Sequence, residues 1–242
     1  EAELFRLDHY LGKEIILNIS TLRCNLEPWE LSTWGLATCN LQLATWQEII
    51  LNISTLRWAN SVFEPLWDRR HIESVQITFK ENIGTNGRGG YFDQFGIVRD
   101  IIQNHLLQAF MFLAMEPPAD MSAAALVAAK VALLRSVRPP DLQRDEVFLG
   151  QFAAAEGGAR GYLEDETVPP DSRCPTFAAT LLTVDNERWR GVPFLLSAGK
   201  GLDERLCEVR VRFKPQPYNK MMGVDAHNEL VMRVQPDEAL YL

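Results

Sequence analysis

The sequence predicts an α+β fold, because a strong helical pattern precedes a series of strand patterns along the chain. Over residues 97–115, apolar side chains recur at the three- and four-residue spacing of a helix that buries one face. Over residues 207–213, apolar and polar side chains alternate, as in a strand whose sheet has one dry and one wet face. Helices and strands that separate along the chain in this way are typical of an α+β domain.

The first predicted strand ends beside two charged residues. Apolar and polar side chains alternate over residues 75–79, and the strand delivers Lys80 and Glu81 at its end. The glycine-rich stretch 84–90 then leads into the long helix. It has neither the Lys-Ser/Thr ending of a phosphate-binding P-loop nor the glycine spacing of a dinucleotide-binding turn, so we interpret it as a structural loop.

A second helix and four further strands complete the predicted order. The alanine-rich stretch 121–137 predicts a partly exposed helix, which the prolines at positions 139 and 140 stop. With 47% hydrophobic residues among 242, the chain has enough apolar material for one ordinary core. The later strands are predicted at residues 177–184, 193–198, 207–213 and 229–234.

The chain contains an exact internal duplication. Residues 14–23 and 48–57 both read E-I-I-L-N-I-S-T-L-R, 34 positions apart. Only ten residues recur, so a helical-repeat solenoid is rejected. The stretch 24–47 lacks clean helical or strand periodicity and is expected to be a poorly anchored excursion, so that about 24–57 is a duplicated insertion. A functional lid or interface is the alternative for this stretch.

Composition excludes several classes of function. A net charge of −8 argues against a nucleic-acid partner, and no apolar run approaches the roughly 18 residues of a membrane span. The acidic first three residues are unlike an export or import signal. The four cysteines are scattered without a C-x-x-C pair, which favours reduced thiols in the cytoplasm and no metal site.

One short string carries an unusual density of reactive groups. Asp8, His9, Tyr10 and Lys13 fall within a turn-sized stretch. If that stretch is helical, His9 and Lys13 share one face, where two nitrogen donors can converge on a phosphate dianion. Taken alone, the string fits the solvated start of an amphipathic helix better than a phosphate site.

His105 is the second candidate for chemistry. It lies beside the apolar stripe of its helix, so the residues alone also fit a hydrogen-bonded core histidine. Asp100 lies five residues earlier, about 140° around an α-helix, so a direct contact between the two is poorly favoured. A first-turn acid that complements the helix dipole is the alternative for Asp100.

Several long motifs occur in one order and together resemble glucose-6-phosphate dehydrogenase. The resemblance covers nearly the whole chain except residues 24–47 and about 117–147. It implies helices packed on one face of a large, mostly antiparallel sheet, and an activity that oxidises glucose 6-phosphate to 6-phosphogluconolactone with NADP. The motifs are at residues 6–14, 78–81, 84–96, 99–100, 103–108, 177–193, 199–205 and 233–236.

The resemblance also implies roles for individual residues. His105 matches the general base, and Asp8 matches the carboxylate that polarises its imidazole. The phosphate-binding positions are His9, Tyr10, Lys13 and Arg205. The positions that contact sugar hydroxyls are Glu81, Asp100, Lys200 and Gln235.

The coenzyme raises two further expectations. The family's Rossmann domain is expected before Arg6, which makes residues 1–7 its tail and residues 8–242 a partial substrate-binding and dimerisation domain. Some members hold a second, structural NADP, whose positions match Arg210, Arg233 and Tyr241, although Leu206 replaces a lysine of that set.

Two hypotheses about assembly and activity follow from the resemblance. The first is a homodimeric or tetrameric dehydrogenase; the second is a non-catalytic truncated chain that binds sugar phosphate or pairs with full-length subunits. The strand near Val231 is expected to be a sheet edge without its neighbours.

Overall fold

A mixed sheet dominates the computed structural model, which describes residues 39–154, 158, 160–221, 223 and 227–242. Within these residues eight strands pair in the order β2-β4-β5-β1-β6-β7-β8, and β3 also pairs with β4. The strands are β1 (Ile72–Lys80), β2 (Val137–Arg138), β3 (Val147–Gly150), β4 (Phe177–Val184), β5 (Pro193–Gly199), β6 (Leu206–Phe213), β7 (Glu229–Gln235) and β8 (Ala239–Tyr241).

The sheet is mostly antiparallel, as predicted. β1 and β5 form the one parallel pair among the described strands, and the other pairings are antiparallel. The expectation of an unpaired edge near Val231 is wrong, because Val231 is in register with Tyr241 of the short strand β8. The sequence of β7 does not indicate that β8 pairs with it, since strand pairing depends on residues beyond the strand itself.

One face of the sheet forms the core. Ile77, Leu196, Val209 and Met232 occupy one row across four strands and are buried. The next row carries polar side chains, as a two-residue period requires. The predicted wet face of β6 is only partly wet, because Glu208 is buried within ion pairs with arginines.

The helices cover the apolar face of the sheet. Phe110 packs edge-on against Phe194 of β5, with 5.0 Å between ring centroids. The helix predicted at 121–137 is confirmed as a shorter, partly exposed helix. The helices are α1 (Cys39–Trp58), α2 (Gly89–Ile97), a π-helix (Val98–Leu106), α3 (Leu107–Ala114), α4 (Ala123–Leu134) and α5 (Pro217–Met221).

Two helical predictions are corrected. The single helix expected over 97–115 is interrupted, since Val98–Leu106 is π-helical. The excursion expected over 24–47 is wrong for residues 39–47, which belong to α1 and run directly into the second copy of the repeat. The first copy, residues 14–23, lies outside the described residues.

The second repeat copy is anchored by a buried arginine. Arg57 donates from Nη1 to the carbonyl oxygens of Phe112 and Met115, at 2.7 and 3.0 Å, and pairs with Glu64. The carbonyl groups at a helix C-terminus have no partner inside the helix, so Arg57 satisfies two groups that burial would otherwise leave unpaired. Ile53, one turn earlier, is fully buried beside the same core.

Two tryptophans complete this end of α3. Trp67 donates its indole N–H to the carbonyl oxygen of Leu113 at 2.8 Å, and Trp189 donates to that of Ala114 at 2.7 Å. Four consecutive carbonyl groups at the end of the helix therefore accept side-chain hydrogen bonds. No helix in the described part of the chain is both long and apolar enough to cross a membrane.

A buried lysine predicts an unusual dependence of stability on pH. Lys130 is 2% exposed, donates to Gln108 Oε1 at 2.9 Å and lies 4.8 Å from the centroid of the Phe112 ring. Burial lowers its pKa to about 8. Between that value and the unfolded pKa near 10.4, the unfolded chain binds more protons than the folded one, so the free energy of unfolding rises with pH, by about 3 kcal/mol in total.

We therefore expect Lys130→Met to remove this rise. Urea denaturation at intervals from pH 7 to pH 10.5 gives the free energy of unfolding at each pH. The slope of this free energy against pH is then compared between variant and wild type. Lys214→Met, at an exposed position, serves as the matched control and should keep the wild-type slope. An unchanged slope in Lys130→Met would contradict the assignment.

Candidate functional site

The parallel pairing of β1 and β5 builds the centre of the candidate site. Lys80 is in register with Gly199, so the next residues, Glu81 and Lys200, emerge together at the same end of the sheet. Lys200 Nζ forms an ion pair and hydrogen bond with Glu81 Oε2. Asp100 of the π-helix approaches the same ammonium, with Oδ2 at 3.9 Å. Three predicted sugar-binding residues are thus brought together.

This cluster is largely shielded from water. The side chains of Glu81 and Lys200 are 15% and 14% exposed, whereas that of Asp100 is 40% exposed. Lys200 Nζ lies 5.4 Å from the ring centroid of Phe92. Burial raises the pKa of Asp100; Lys200 opposes that shift and Glu81 adds to it. Two acids and one ammonium offer acceptors and a donor that suit the hydroxyl groups of a polyol.

Arg205 and Gln235 extend the site along the same end of the sheet. β6 runs antiparallel to β1, so Arg205, just before β6, lies near the residues that follow β1. Gln235 ends β7 opposite Cys207. Arg205 Nε donates to Gln235 Oε1 at 2.9 Å. Arg205 is exposed to solvent.

The π-helix changes the geometry around His105. The argument against an Asp100–His105 contact assumed an α-helix, but both residues lie in the π-helical segment, Asp100 in its first turn and His105 in its last. A π-helix joins residues five apart by its hydrogen bonds, so these two positions are one turn apart. The geometric reason for preferring Asp8 is therefore wrong.

His105 has the protonation state of a proton acceptor. Burial lowers its pKa to about 4, so the imidazole is neutral at neutral pH. A carboxylate beside it would raise this value, because a nearby negative charge favours the protonated form. Asp8, the partner implied by the resemblance, lies outside the described residues, as do His9, Tyr10 and Lys13.

The residues proposed to bind a structural NADP already form ion pairs and hydrogen bonds within the protein. Arg210 pairs with Glu208 and Glu229 at 2.8 and 2.6 Å. Arg233 donates from Nη2 to the Tyr241 hydroxyl at 2.9 Å, and its Nε lies 3.9 Å from Glu208.

Acidic side chains already balance the positive charges of Arg210 and Arg233, and position 206 carries leucine in place of a cation. The described residues therefore fit a second NADP poorly, and we assign it no role.

The glycine-rich loop is confirmed as structural. Asp165 accepts hydrogen bonds from the Thr85 hydroxyl at 2.6 Å and from the Gly89 backbone at 3.3 Å, so a protein carboxylate occupies the start of α2. A side chain at Gly90 would place its Cβ 2.6 Å from the carbonyl oxygen of Thr167. The backbone at Gly90 therefore packs closely against Thr167. The described residues also contain no group of three His, Cys, Asp or Glu side chains that could hold a metal ion.

Sequence reasoning missed the contacts that hold the loop between β5 and β6. Lys80 Nζ bridges Asp203 and Glu204, each at 3.1 Å. Phe92, whose ring lies near the Lys200 ammonium, has no role in the sequence prediction beyond its place in the motif at residues 84–96. The adjacent opposite charges of Glu204 and Arg205 were the available signal, but Lys80, the partner of Glu204, lies 124 positions away.

The sheet and the row of charged groups along one of its ends define an α+β domain with a candidate binding site. Comparison with known proteins makes this specific. The sequence profile described as "Glucose-6-phosphate dehydrogenase, C-terminal domain" matches residues 54–242. The chain belongs to the glucose-6-phosphate dehydrogenase family.

Named relatives agree with this assignment. The chain is 48% identical over 245 residues to glucose-6-phosphate 1-dehydrogenase of Dictyostelium discoideum, covering 100% of this chain and 42% of that protein. It is 47% identical over 242 residues to the enzyme of Schizosaccharomyces pombe, covering 100% and 41%. It is 46% identical over 251 residues to the chloroplastic enzyme of Nicotiana tabacum, covering 100% and 36%. The chain thus spans about two fifths of these relatives' length.

Solved structures share the fold. A glucose-6-phosphate dehydrogenase in complex with its substrate glucose-6-phosphate has a TM-score of 0.74 and 41% identity, covering 81% of this chain and 40% of that one. Glucose-6-phosphate 1-dehydrogenase from Mycobacterium avium has a TM-score of 0.71 and 33% identity, covering 81% and 43%.

Proposed function

We propose that this chain forms the substrate-binding domain of a glucose-6-phosphate dehydrogenase, which oxidises glucose 6-phosphate to 6-phosphogluconolactone with NADP. The observation that carries the proposal is the Glu81–Lys200–Asp100 cluster, which lies on the same end of the sheet as Arg205 and Gln235. A relative with the same fold was solved with glucose 6-phosphate bound, which supports the choice of ligand.

Each group has a chemical task in this proposal. Lys200 donates to sugar hydroxyls, while Glu81 and Asp100 accept from them and fix the orientation of the ring. Arg205 supplies positive charge to the phosphate in a chain whose net charge is −8. His105, neutral at physiological pH, accepts the proton of the C1 hydroxyl as the C1–H bond breaks and the lactone carbonyl forms.

NADP supplies the acceptor for the hydride that leaves C1. The described residues offer no dinucleotide-binding turn, since Asp165 occupies the start of α2. We propose that a Rossmann domain supplies this site. The alternative, sugar-phosphate binding without catalysis, rests on the same observation. Cytoplasmic location and a homodimeric or tetrameric state remain predictions from the sequence.

Calorimetric titration tests the binding part of the proposal. We expect the chain to bind glucose 6-phosphate more tightly than glucose, because Arg205 contributes only to the phosphorylated sugar. Lys200→Met should weaken binding of glucose 6-phosphate by about 10- to 100-fold, the range for loss of charge-assisted hydrogen bonds. Lys214→Met removes the same charge at an exposed site whose amine contacts the Arg69 carbonyl, and should leave binding unchanged.

Absorbance at the NADPH band separates the two alternatives. The chain alone is expected to reduce no NADP in the presence of glucose 6-phosphate. Production of NADPH by the pure chain would contradict the need for a separate coenzyme domain. Absence of saturable binding to glucose 6-phosphate would contradict both alternatives.

A further inference from the structure

Lys80 holds two acidic side chains beside the candidate phosphate-binding arginine. Its Nζ lies 3.1 Å from Asp203 Oδ1, 3.4 Å from Asp203 Oδ2 and 3.1 Å from Glu204 Oε1. The Lys80 side chain is 27% exposed, whereas those of Asp203 and Glu204 are 73% and 53% exposed. One partly shielded ammonium therefore engages two carboxylates that extend into solvent.

Backbone contacts fix the base of the loop that carries these acids. The Glu81 N–H donates to the Gly199 carbonyl, and the Glu81 carbonyl accepts from the Leu202 N–H, both at 2.9 Å. The Gly201 N–H donates to the Ile83 carbonyl, also at 2.9 Å. These bonds end at Leu202. Beyond it, the Asp203 carboxylate accepts hydrogen bonds from the backbone of Asp203 and Glu204, and the Lys80 ion pairs join both acidic side chains to β1.

The placement of those two acids matters because Arg205 follows them directly. A released Glu204 or Asp203 carboxylate could pair with the neighbouring Arg205 guanidinium, and both would repel an approaching phosphate dianion. The single positive charge of Lys80, which lies one position before Glu81, partly offsets the two negative charges. Arg205 donates a hydrogen bond to Gln235. Because Gln235 is neutral, this contact does not cancel the positive charge of Arg205.

We propose that Lys80 is a positioning residue for phosphorylated-sugar binding: by holding Asp203 and Glu204, it keeps the Arg205 cation available to the ligand. This inference rests on the proposed function, since it assumes that the ligand carries a phosphate. Lys80 itself touches the acids and not the ligand. Its contribution is therefore electrostatic and depends on the presence of both carboxylates.

A set of charge variants tests this role by calorimetric titration with glucose 6-phosphate. In Lys80→Met at about 50 mM salt, we expect roughly 5- to 20-fold weaker binding, and a smaller loss at high salt, where exposed charges are screened. Lys80→Arg should bind within about twofold of wild type because it retains the cation. Lys214→Met serves as the control for loss of one positive charge at a distance.

The decisive variant combines Lys80→Met with Asp203→Asn and Glu204→Gln. If Lys80 acts by holding the two acids, this triple variant should bind at least as tightly as wild type, since neither carboxylate remains to pair with Arg205 or to repel the phosphate. If Lys80 instead bound the ligand directly, or only tethered the loop, the triple variant would bind as weakly as Lys80→Met. Circular dichroism and thermal melting confirm that each variant is folded.

The outcomes distinguish this inference from the proposed function. Wild-type affinity in Lys80→Met, or failure of the triple variant to recover, overturns the role of Lys80 while binding by the wild-type chain still stands. No binding of glucose 6-phosphate by wild type overturns the proposed function, and this inference with it.

Discussion

Replacing His105 with asparagine is expected to lower kcat by about 100- to 10,000-fold, the usual contribution of a general base. Asparagine keeps a polar side chain of similar size but cannot accept the C1 hydroxyl proton. Affinity for glucose 6-phosphate should change little, because we propose that Lys200, Glu81 and Asp100 hold the sugar. Steady-state rates, measured in a form of the protein that reduces NADP, give kcat. Calorimetric titration with glucose 6-phosphate gives the affinity.

His227→Asn is the matched control for that substitution. His227 precedes β7, at the opposite end of the sheet from the site, where its Nδ1 lies 3.1 Å from Glu73. It should therefore leave kcat unchanged. In the wild type, the rate should fall only as pH drops through the pKa of His105, which burial lowers to about 4 and a neighbouring carboxylate would raise. Near-normal turnover by His105→Asn would remove His105 as the base.

The strands could be predicted closely from the sequence because their signal is local. The prediction at 177–184 coincides with β4, and that at 207–213 differs from β6 by one residue. Apolar and polar side chains alternate within β6, and β4 is a short, mainly apolar run, so each signal lies within the strand itself. The short β8 carries too few residues to show such a period, and it was missed.

The π-helix could not be predicted in the same way. Apolar residues at 101, 102 and 106 fit a buried helical stripe in either geometry, and the sequence pattern does not report whether hydrogen bonds span four or five residues. That difference decides how Asp100 and His105 are placed relative to each other. Residues 39–47 show the opposite error, since a segment without periodicity is helical in the structure.

Assembly of the candidate site was equally beyond local patterns. Glu81 and Lys200 are 119 positions apart and meet because β1 and β5 pair in parallel. Nothing in either segment specifies that pairing, and family resemblance alone selected these residues. The Lys80 contacts were missed for the same reason, since the acids at 203 and 204 read locally as a solvated charge cluster.

Arg57→Met is expected to cause the largest loss of stability, about 3 kcal/mol in the free energy of unfolding. The variant leaves the carbonyl groups of Phe112 and Met115 buried without a donor, at roughly 1–3 kcal/mol each. Glu64 retains Arg188 at 2.8 Å, which limits the loss from the broken ion pair. Burial lowers the pKa of Arg57 only to about 10, so the guanidinium is charged at neutral pH in the wild type. Urea denaturation measures the change.

The duplicated repeat provides the control. Arg23 ends the first copy as Arg57 ends the second, within ten identical residues. If the second copy alone occupies the core, Arg23→Met should change the free energy of unfolding by less than about 0.5 kcal/mol. The reverse result would contradict the placement of residues 48–57. A third outcome is a small effect from each single variant and a large effect from the double variant. It would mean that either copy of the repeat can occupy the same place in the core, because each arginine could then replace the other at the end of α3.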